Sequence, residues 1–202
     1  MTNAAITLDV DWAPDCVIDH VAQLLLERRV RATWFVTHES AAVSRLRQHP
    51  ELFELGIHPN FLPGSTQGTT PEDVLDHCMQ IVPEAKSLRT HGLVQSTSLL
   101  ATVIARTPIT ADASLFLPGA SSLQPIEYRW EGRDIVRIPF LWEDDYEMQR
   151  SRPSWDLGDH LRDTGGLKVF NFHPIHVYLN SCDMSAYESL KQQVRRLSDA
   201  TA

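Results

Sequence analysis

The chain has 202 residues and a formal net charge of −8, with 43% hydrophobic and 22% charged residues. This length and composition predict a single domain over residues 1–202 with a sizeable hydrophobic core. The acidic balance argues against nucleic acid or an anionic membrane as a partner, because both require a basic surface.

The three cysteines, Cys16, Cys78 and Cys182, are far apart and form no CxxC pair. They predict neither a disulfide framework nor a thiolate zinc site, and we expect three reduced thiols. The first residues, MTNAAITLDVDW, lack the basic start and the apolar run of a signal peptide. No apolar stretch reaches the roughly 18 residues that a membrane span requires. We therefore expect a cytoplasmic protein without a membrane span; the sequence carries no indication of its oligomeric state.

Short apolar runs alternate along the chain with amphipathic segments. Strands are predicted at residues 5–8, 32–36, 53–57, 87–89, from 109 onward, 136–140 and 168–172. Helices are predicted over about residues 14–29 and 39–48, after the N-cap Thr70 and Pro71, over 96–106, and in a closing segment with Tyr187, Leu190, Val194 and Leu197 on one face. Repeated strand–helix units indicate a parallel sheet with right-handed crossovers. Six or seven strands favour an incomplete α/β barrel over an eightfold one, which typically needs about 250 residues; an open doubly wound sheet is the alternative.

Residues whose side chains can bind a metal or take part in proton transfer follow the predicted strands. They are Asp9 and Asp11 after the first, His38 after the second, His58 after the third, Arg89 and His91 after the fourth, and His173 and His176 after the last. In parallel α/β proteins, reactive residues lie at these carboxyl ends. A lone aspartate there is most often a helix cap and a lone histidine most often structural, but several together indicate a site. Imidazole with carboxylate suits a divalent ion such as zinc.

Asp9 and Asp11 are two residues apart, so in an extended strand both side chains point to the same side. Two adjacent carboxylates repel each other, which raises one pKa unless a cation lies beside them. The spacing therefore suggests that one aspartate binds the metal while the other serves as a base.

Two further segments carry functional hypotheses. Pro174 disfavours helix for His173, so residues 173–176 predict a strand ending in a tight turn that aims one imidazole into the cleft as a general acid. The acidic run at residues 142–145 is interpreted as a solvated loop rather than a catalytic element.

The motifs LDVDW (8–12), ATWFV (32–36), ELGIHPN (54–60), SLRTHG (87–92) and FNFHPIH (170–176) occur in an order that resembles a known family. They are similar to those of the polysaccharide deacetylases with NodB homology, carbohydrate esterase family 4. The nearest likeness is to the small members associated with surface-polysaccharide and O-antigen synthesis, and it spans about residues 4–180. The resemblance implies a distorted, incomplete TIM-like (β/α) barrel, and the metal-dependent removal of acetyl groups from a sugar or oligosaccharide.

The resemblance also implies roles for individual residues. Carried over by motif, Asp9 is the base, Asp11 and His58 bind the metal, Arg89 orients the base, and His173 is the acid with His176 as the alternative. The family's second metal histidine would fall at position 62, where this chain has Leu62. His91 stands where the third motif normally has proline, and we hypothesise that it reaches the metal instead.

Three functions remain open at this point. The first is zinc-dependent deacetylation of an N-acetylated sugar. The second, favoured by Leu62, is a non-catalytic sugar-binding or scaffold relative that has lost the activity. The third is a different metal-dependent amide hydrolase on the same barrel.

Overall fold

The structure, a computed structural model, describes residues 3–162 and 165–194. Its strands are β1 (Asn3–Asp9), β2 (Ala32–Val36), β3 (Phe53–Ile57), β4 (Ser87–Leu88), β5 (Ala111–Asp112), β6 (Ile126–Trp130), β7 (Arg133–Arg137), β8 (Trp142–Glu143) and β9 (Leu167–Phe172). Its helices are α1 (Asp15–Glu27), α2 (Ala41–Leu46), α3 (Pro71–Ile81), α4 (Thr97–Arg106), α5 (Asp144–Met148), α6 (Leu157–Leu161), α7 (Pro174–Tyr178) and α8 (Ser185–Gln193), with a 3₁₀ turn at His91–Leu93.

All nine strands form one sheet in the order β6-β7-β5-β4-β3-β2-β1-β9-β8. Every pairing is parallel except that of β6 with β7. The segment between β7 and β8 curls the sheet toward closure. There, Phe140 N donates to Leu115 O at 3.0 Å, and Leu141 N donates to Val169 O of β9 at 3.1 Å. The predicted incomplete barrel is confirmed, with nine strands in the described residues rather than six or seven.

Two strands were not predicted: β8, and β6, which forms a hairpin with β7 that the sequence pattern did not reveal. The predicted strand at 136–140 is wrong in its bounds, because β7 covers Arg133–Arg137 and pairs antiparallel with β6. Glu131 and Gly132 connect the two strands, and both have positive φ, as a two-residue hairpin turn requires. Because the first turn position is a glutamate, the sequence lacks the Asn-Gly or Asp-Gly pair that usually indicates such a hairpin.

The main core lies between strands β1 to β4 and helices α1 to α4. Trp34 of β2 and Ile57 of β3 are completely buried, and they pack with the inner face of α1, including Val17, Ile18 and Val21. Helix α3 begins with the predicted N-cap: the Thr70 hydroxyl accepts from Asp73 N at 3.2 Å. This packing holds the carboxyl ends of β1, β3 and β4 at one end of the barrel.

The remaining predictions concern the cysteines and the chain's later helices. All three cysteines are free thiols. Within the residues described, no helix combines the length and the apolar character of a membrane span. The closing helix is shorter than predicted: α8 ends at Gln193 with Val194 as its C-cap, and Leu197 lies outside the described residues.

Candidate metal and catalytic centre

The chain turns sharply where β1 ends. Asp9 is the last residue of β1, and the half-buried Asp11 and Trp12 that follow it have φ of 46° and 56°. Trp12 N donates to the Thr37 hydroxyl at 3.0 Å, which holds this left-handed turn against the exit of β2. A bulky residue with positive φ costs energy and commonly marks a functional site. The prediction that both aspartates continue one extended strand is therefore wrong: the turn, not strand alternation, brings Asp11 to the centre.

Three donor atoms converge at this turn and form what we call the metal-ligand cluster: Asp11, His58 and His91. Asp11 Oδ1 lies 3.1 Å from His58 Nε2 and 3.0 Å from His91 Nδ1, and all three atoms lie within 4.8 Å of one another. Burial alone would raise the pKa of Asp11, but hydrogen bonds from His58 and His91 hold it well below its ordinary value. An ionised carboxylate with two imidazoles is the donor set of many catalytic zinc sites, so these residues fit a divalent ion.

His91 lies where a third metal ligand is needed, the position that the sequence left uncertain because of Leu62. It begins the 3₁₀ turn after β4, and its backbone N–H donates to Pro59 O at 2.9 Å, which ties the exit of β4 to that of β3. Leu62 is 43% exposed and lies outside the metal-ligand cluster, against Gly92. The geometry thus supports the hypothesis that His91 supplies the third donor in place of a histidine at position 62.

Asp9 lies beside the cluster and is held by a buried arginine. Arg89 Nη1 donates to Asp9 Oδ1 at 3.0 Å, and its guanidinium is sandwiched between the rings of Phe35 and Phe140, 4.7 and 4.3 Å from their centroids. Burial would raise the pKa of Asp9, but the charge of Arg89, with those of His58 and His173, lowers it. Asp9 is therefore an ionised carboxylate despite being almost completely buried.

Asn171 of β9 connects Asp9 to a second acid. Its Nδ2 donates to Asp9 Oδ2 and to Glu143 Oε1, both at 2.9 Å, and its Oδ1 accepts from the Thr7 hydroxyl and from Arg89. Burial, followed by the charges of Asp145 and Asp9, raises the pKa of Glu143 to about 8. We call Asp9, Arg89, Asn171 and Glu143 the base network.

His173 faces the cluster from the end of β9 and is held from behind by Asp144. Asp144 Oδ1 lies 2.6 Å from His173 Nδ1, and Asp144 Oδ2 accepts from His173 N at 2.7 Å. His173 Nε2 points toward Asp11 Oδ2, 3.5 Å away. Burial would lower the pKa of His173, but the carboxylates of Asp144, Asp11 and Asp9 raise it well above its ordinary value. We call His173 and Asp144 the acid pair.

The alternative acid, His176, lies farther back. Its ring packs against those of His173 and Tyr187, with centroids 5.6 and 5.0 Å away. Burial lowers its pKa, so the neutral form is favoured. The geometry thus favours His173 over His176 for proton transfer.

Two interpretations from the sequence are corrected here. The acidic run at 142–145 is not a solvated loop: it spans β8 and the start of α5, and Asp144 is 2% exposed. Residues 173–176 do not form a tight turn: His173 is the N-cap of α7 and Pro174 its first residue, a position that proline favours. The expectation that His173 itself is not helical is confirmed.

Of the histidines predicted at strand exits, His38 is not part of the centre. Its Nδ1 lies 3.0 Å from the Thr37 hydroxyl, and the described groups that could hold a metal do not include it. Sequence reasoning missed Asn171, Glu143 and Asp144 as site residues. For Asn171 a signal existed, because an amide between two phenylalanines in the buried strand LKVFNF needs a buried polar partner.

The chain is similar in sequence and in fold to known polysaccharide deacetylases. A family model described as WbmS-like polysaccharide deacetylase matches residues 6–191. A crystal structure from Bordetella bronchiseptica, described as a candidate polysaccharide deacetylase involved in O-antigen biosynthesis, is 35% identical, with a TM-score of 0.81 over 94% of this chain and 78% of that one. No curated protein matches the sequence significantly.

Two more distant structures share the fold alone. One is a CE4 family pseudoenzyme from Bacillus anthracis, with 13% identity and a TM-score of 0.50 over 95% of this chain and 61% of that one. The other is the CE4 domain of a xylanase from the hindgut metagenome of Trinervitermes trinervoides, with 13% identity and a TM-score of 0.50 over 95% and 84%. On the family match and the 35% identical structure, this chain belongs to the WbmS-like polysaccharide deacetylase family.

Proposed function

We propose that the protein is a metal-dependent hydrolase that removes an acetyl group from an N-acetylated sugar during O-antigen or related surface-polysaccharide synthesis. One observation carries this proposal: Asp11, His58 and His91 direct three donor atoms to one point beside an ionised, arginine-held Asp9. The family and the Bordetella bronchiseptica relative support a carbohydrate substrate and an O-antigen context.

Asp11, His58 and His91 would hold the metal ion, with zinc as the expected element. Such an ion supplies Lewis acidity, which polarises a carbonyl and acidifies water. Three protein ligands leave coordination positions free, which is typical of catalytic rather than structural sites. Burial would lower the pKa of His91, but its hydrogen bond with Asp11 raises that pKa above the ordinary value. We therefore expect His91 to lose a proton when the metal binds.

Asp9 is suited to accept the proton of the attacking water. Arg89 and Asn171 each donate to a different oxygen of its carboxylate, which fixes its plane while leaving lone pairs on both oxygens. The same contacts keep Asp9 ionised at neutral pH. A positioned base of this kind commonly contributes about 10²–10⁴-fold to a rate.

His173 is suited to protonate the departing amine nitrogen. Asp144 binds Nδ1 and so leaves Nε2 directed toward the cluster as the proton donor. Water would give a proton to Asp9 while its oxygen forms the new bond to the acetyl carbon, and His173 would give a proton to the amine nitrogen as the C–N bond breaks. The products are acetic acid, which ionises to acetate, and a free amino sugar.

A non-catalytic relative is the second candidate, because Leu62 replaces a histidine expected from the family resemblance. Acetate release distinguishes the two. The zinc-loaded protein is incubated with N-acetylated oligosaccharides, and acetate and free amine are measured in equal amounts if the proposal is correct. Asp9→Asn serves as the matched inactive protein. Saccharide binding without acetate release, in the presence of stoichiometric zinc, would establish the non-catalytic alternative.

A further inference from the structure

Gln67 is a buried glutamine in the loop between β3 and α3, and it belongs to none of the groups described above. It is 4% exposed, although glutamine is mostly found at protein surfaces. Its Nε2 donates to Thr37 O at 2.8 Å and to His58 O at 3.2 Å. Its Oε1 accepts from Asn60 N at 2.6 Å. Because the two carbonyls can only accept and the N–H can only donate, these partners fix the orientation of the amide.

The contact with His58 acts on a metal ligand directly. His58 N donates to Val36 O at 2.9 Å, and His58 O accepts from Gln67. Both backbone polar groups of His58 are therefore held. This fixes the starting point of a side chain whose Nε2 lies 3.1 Å from Asp11 Oδ1.

The contact with Asn60 acts on the segment that holds His91. The carbonyl of Pro59 and the N–H of Asn60 belong to one planar peptide group. The carbonyl accepts from His91 N at 2.9 Å, and the N–H donates to Gln67. Hydrogen bonds in such a chain polarise and strengthen one another, so Gln67 supports the bond that ties His91 to the exit of β3.

The contact with Thr37 acts on the turn that carries Asp11. Thr37 O accepts from Gln67, and the Thr37 hydroxyl accepts from Trp12 N at 3.0 Å. Trp12 follows Asp11 in the turn with positive φ. The amide of Gln67 thus contacts His58 itself and, through one residue each, the segments of Asp11 and His91.

Gln67 is itself held against α3. Its backbone N–H donates to the Ser65 hydroxyl at 3.1 Å. At the next position, a Cβ on Gly68 would lie 2.6 Å from Asp73 Cβ and 2.8 Å from Val74 N, in the first turn of α3. Glycine permits this close approach. The segment that carries Gln67 is therefore packed on a helix, which gives the amide a fixed position.

We propose that Gln67 is a positioning residue of the metal-ligand cluster, which holds three backbone segments so that Asp11, His58 and His91 meet at one point. Its side chain contacts backbone groups and none of the three donor atoms, so it acts through the ligands and is not a ligand itself. The inference rests on the proposed function in one respect, namely that the cluster binds a metal ion.

The test compares Gln67→Met with Thr107→Val. Met is close to Gln in length but removes both the donor and the acceptor. Thr107, the C-cap of α4, is as buried as Gln67, and its hydroxyl donates to Val103 O at 2.8 Å and accepts from Ile109 N at 3.2 Å. Both variants lose buried hydrogen bonds, so both should have lower melting temperatures without metal.

Only Gln67→Met should change metal binding. The zinc dissociation constant is measured by competition with a chromogenic chelator. We expect it to rise by about 10–100-fold in Gln67→Met, as is typical when a residue that holds metal ligands is removed, and to stay at the wild-type value in Thr107→Val. With saturating Co²⁺ in place of zinc, the visible absorption bands, which report coordination geometry, should change in Gln67→Met alone.

Ser65→Ala is a milder variant in the same loop. It removes the hydroxyl that holds the backbone of Gln67 but leaves the amide, so we expect zinc binding to weaken by about two- to fivefold, the equivalent of one neutral hydrogen bond. The proposal is overturned if Gln67→Met binds zinc and Co²⁺ as Thr107→Val does. Should Gln67→Met not fold, unchanged zinc binding in Ser65→Ala overturns it. Acetate release is measured in parallel: its absence in a wild-type protein that binds zinc counts against the proposed deacetylase alone.

Discussion

The two sides of the catalytic centre satisfy their polar atoms in different ways. In the metal-ligand cluster, two imidazoles face one carboxylate oxygen, and the side chains of Asp11 and His91 are 23% and 27% exposed. In the base network, Asp9 and Arg89 are 4% and 0% exposed, and both carboxylate oxygens of Asp9 accept hydrogen bonds. The first side is a set of donor atoms open to an incoming cation. The second is a buried hydrogen-bond network that holds Asp9 in its ionised form.

The difference between the two sides predicts that variants of the metal-ligand cluster and variants of the base network lose different properties. The largest effect is expected in the metal-ligand cluster. His58→Ala removes a completely buried donor, so we expect loss of stoichiometric zinc by elemental analysis and loss of acetate release to background. His38→Ala is the matched control, because His38 also follows a strand but lies outside the cluster. Stoichiometric zinc retained in His58→Ala would contradict the assignment of this cluster.

Asp9→Asn tests whether the base network is independent of metal binding. The variant keeps the shape of the side chain but loses its basicity, so acetate release should fall by about 10²–10⁴-fold while zinc stays stoichiometric. Loss of both zinc and activity in this variant would mean that Asp9 binds the metal, and that the base network is not independent of the metal-ligand cluster.

Asp144→Asn tests the acid pair through pH dependence. The raised pKa of His173 depends on the carboxylate of Asp144, and removing that charge lowers the pKa again. A protonated acid is lost as pH rises through its pKa, so the descending limb of the kcat/KM profile should move to lower pH, by about one to three units. A limb that keeps its wild-type position would exclude His173 as the acid.

The smallest effect is expected at Glu143, at the edge of the base network. Because its pKa is raised to about 8, its carboxyl is mainly protonated at pH 7, and Gln reproduces a neutral side chain whose oxygen still accepts from Asn171. Glu143→Gln should therefore keep activity within about threefold, consistent with one retained hydrogen bond. Glu143→Ala leaves Asn171 Nδ2 with one fewer acceptor and should be the slower of the two in acetate-release assays; equal rates would show that Glu143 does not position Asn171.

Much of the architecture could be predicted from local patterns. The bounds of β2 and β3 match their predictions, and the N-cap Thr70 begins α3 as expected. These elements are specified by hydrophobic alternation and by capping chemistry, which act over a few residues. The β6–β7 hairpin was not predicted, because its turn carries Glu131 in place of the usual turn residues.

The sequence by itself determined the alternating α/β pattern and the order of polar residues at strand ends, including Asp9, Asp11 and His58. Only the tertiary structure decided that His91 joins them, and that Asn171 and Asp144 hold the base and the acid. Those contacts join residues that are 29 to 162 positions apart, from Asp144 with His173, through His91 with Asp11, to Asn171 with Asp9. Pairing of β1 with β9 brings Asn171 to Asp9, whereas His91 and Asp11 follow strands that are not neighbours in the sheet. No local periodicity encodes which side chains then meet.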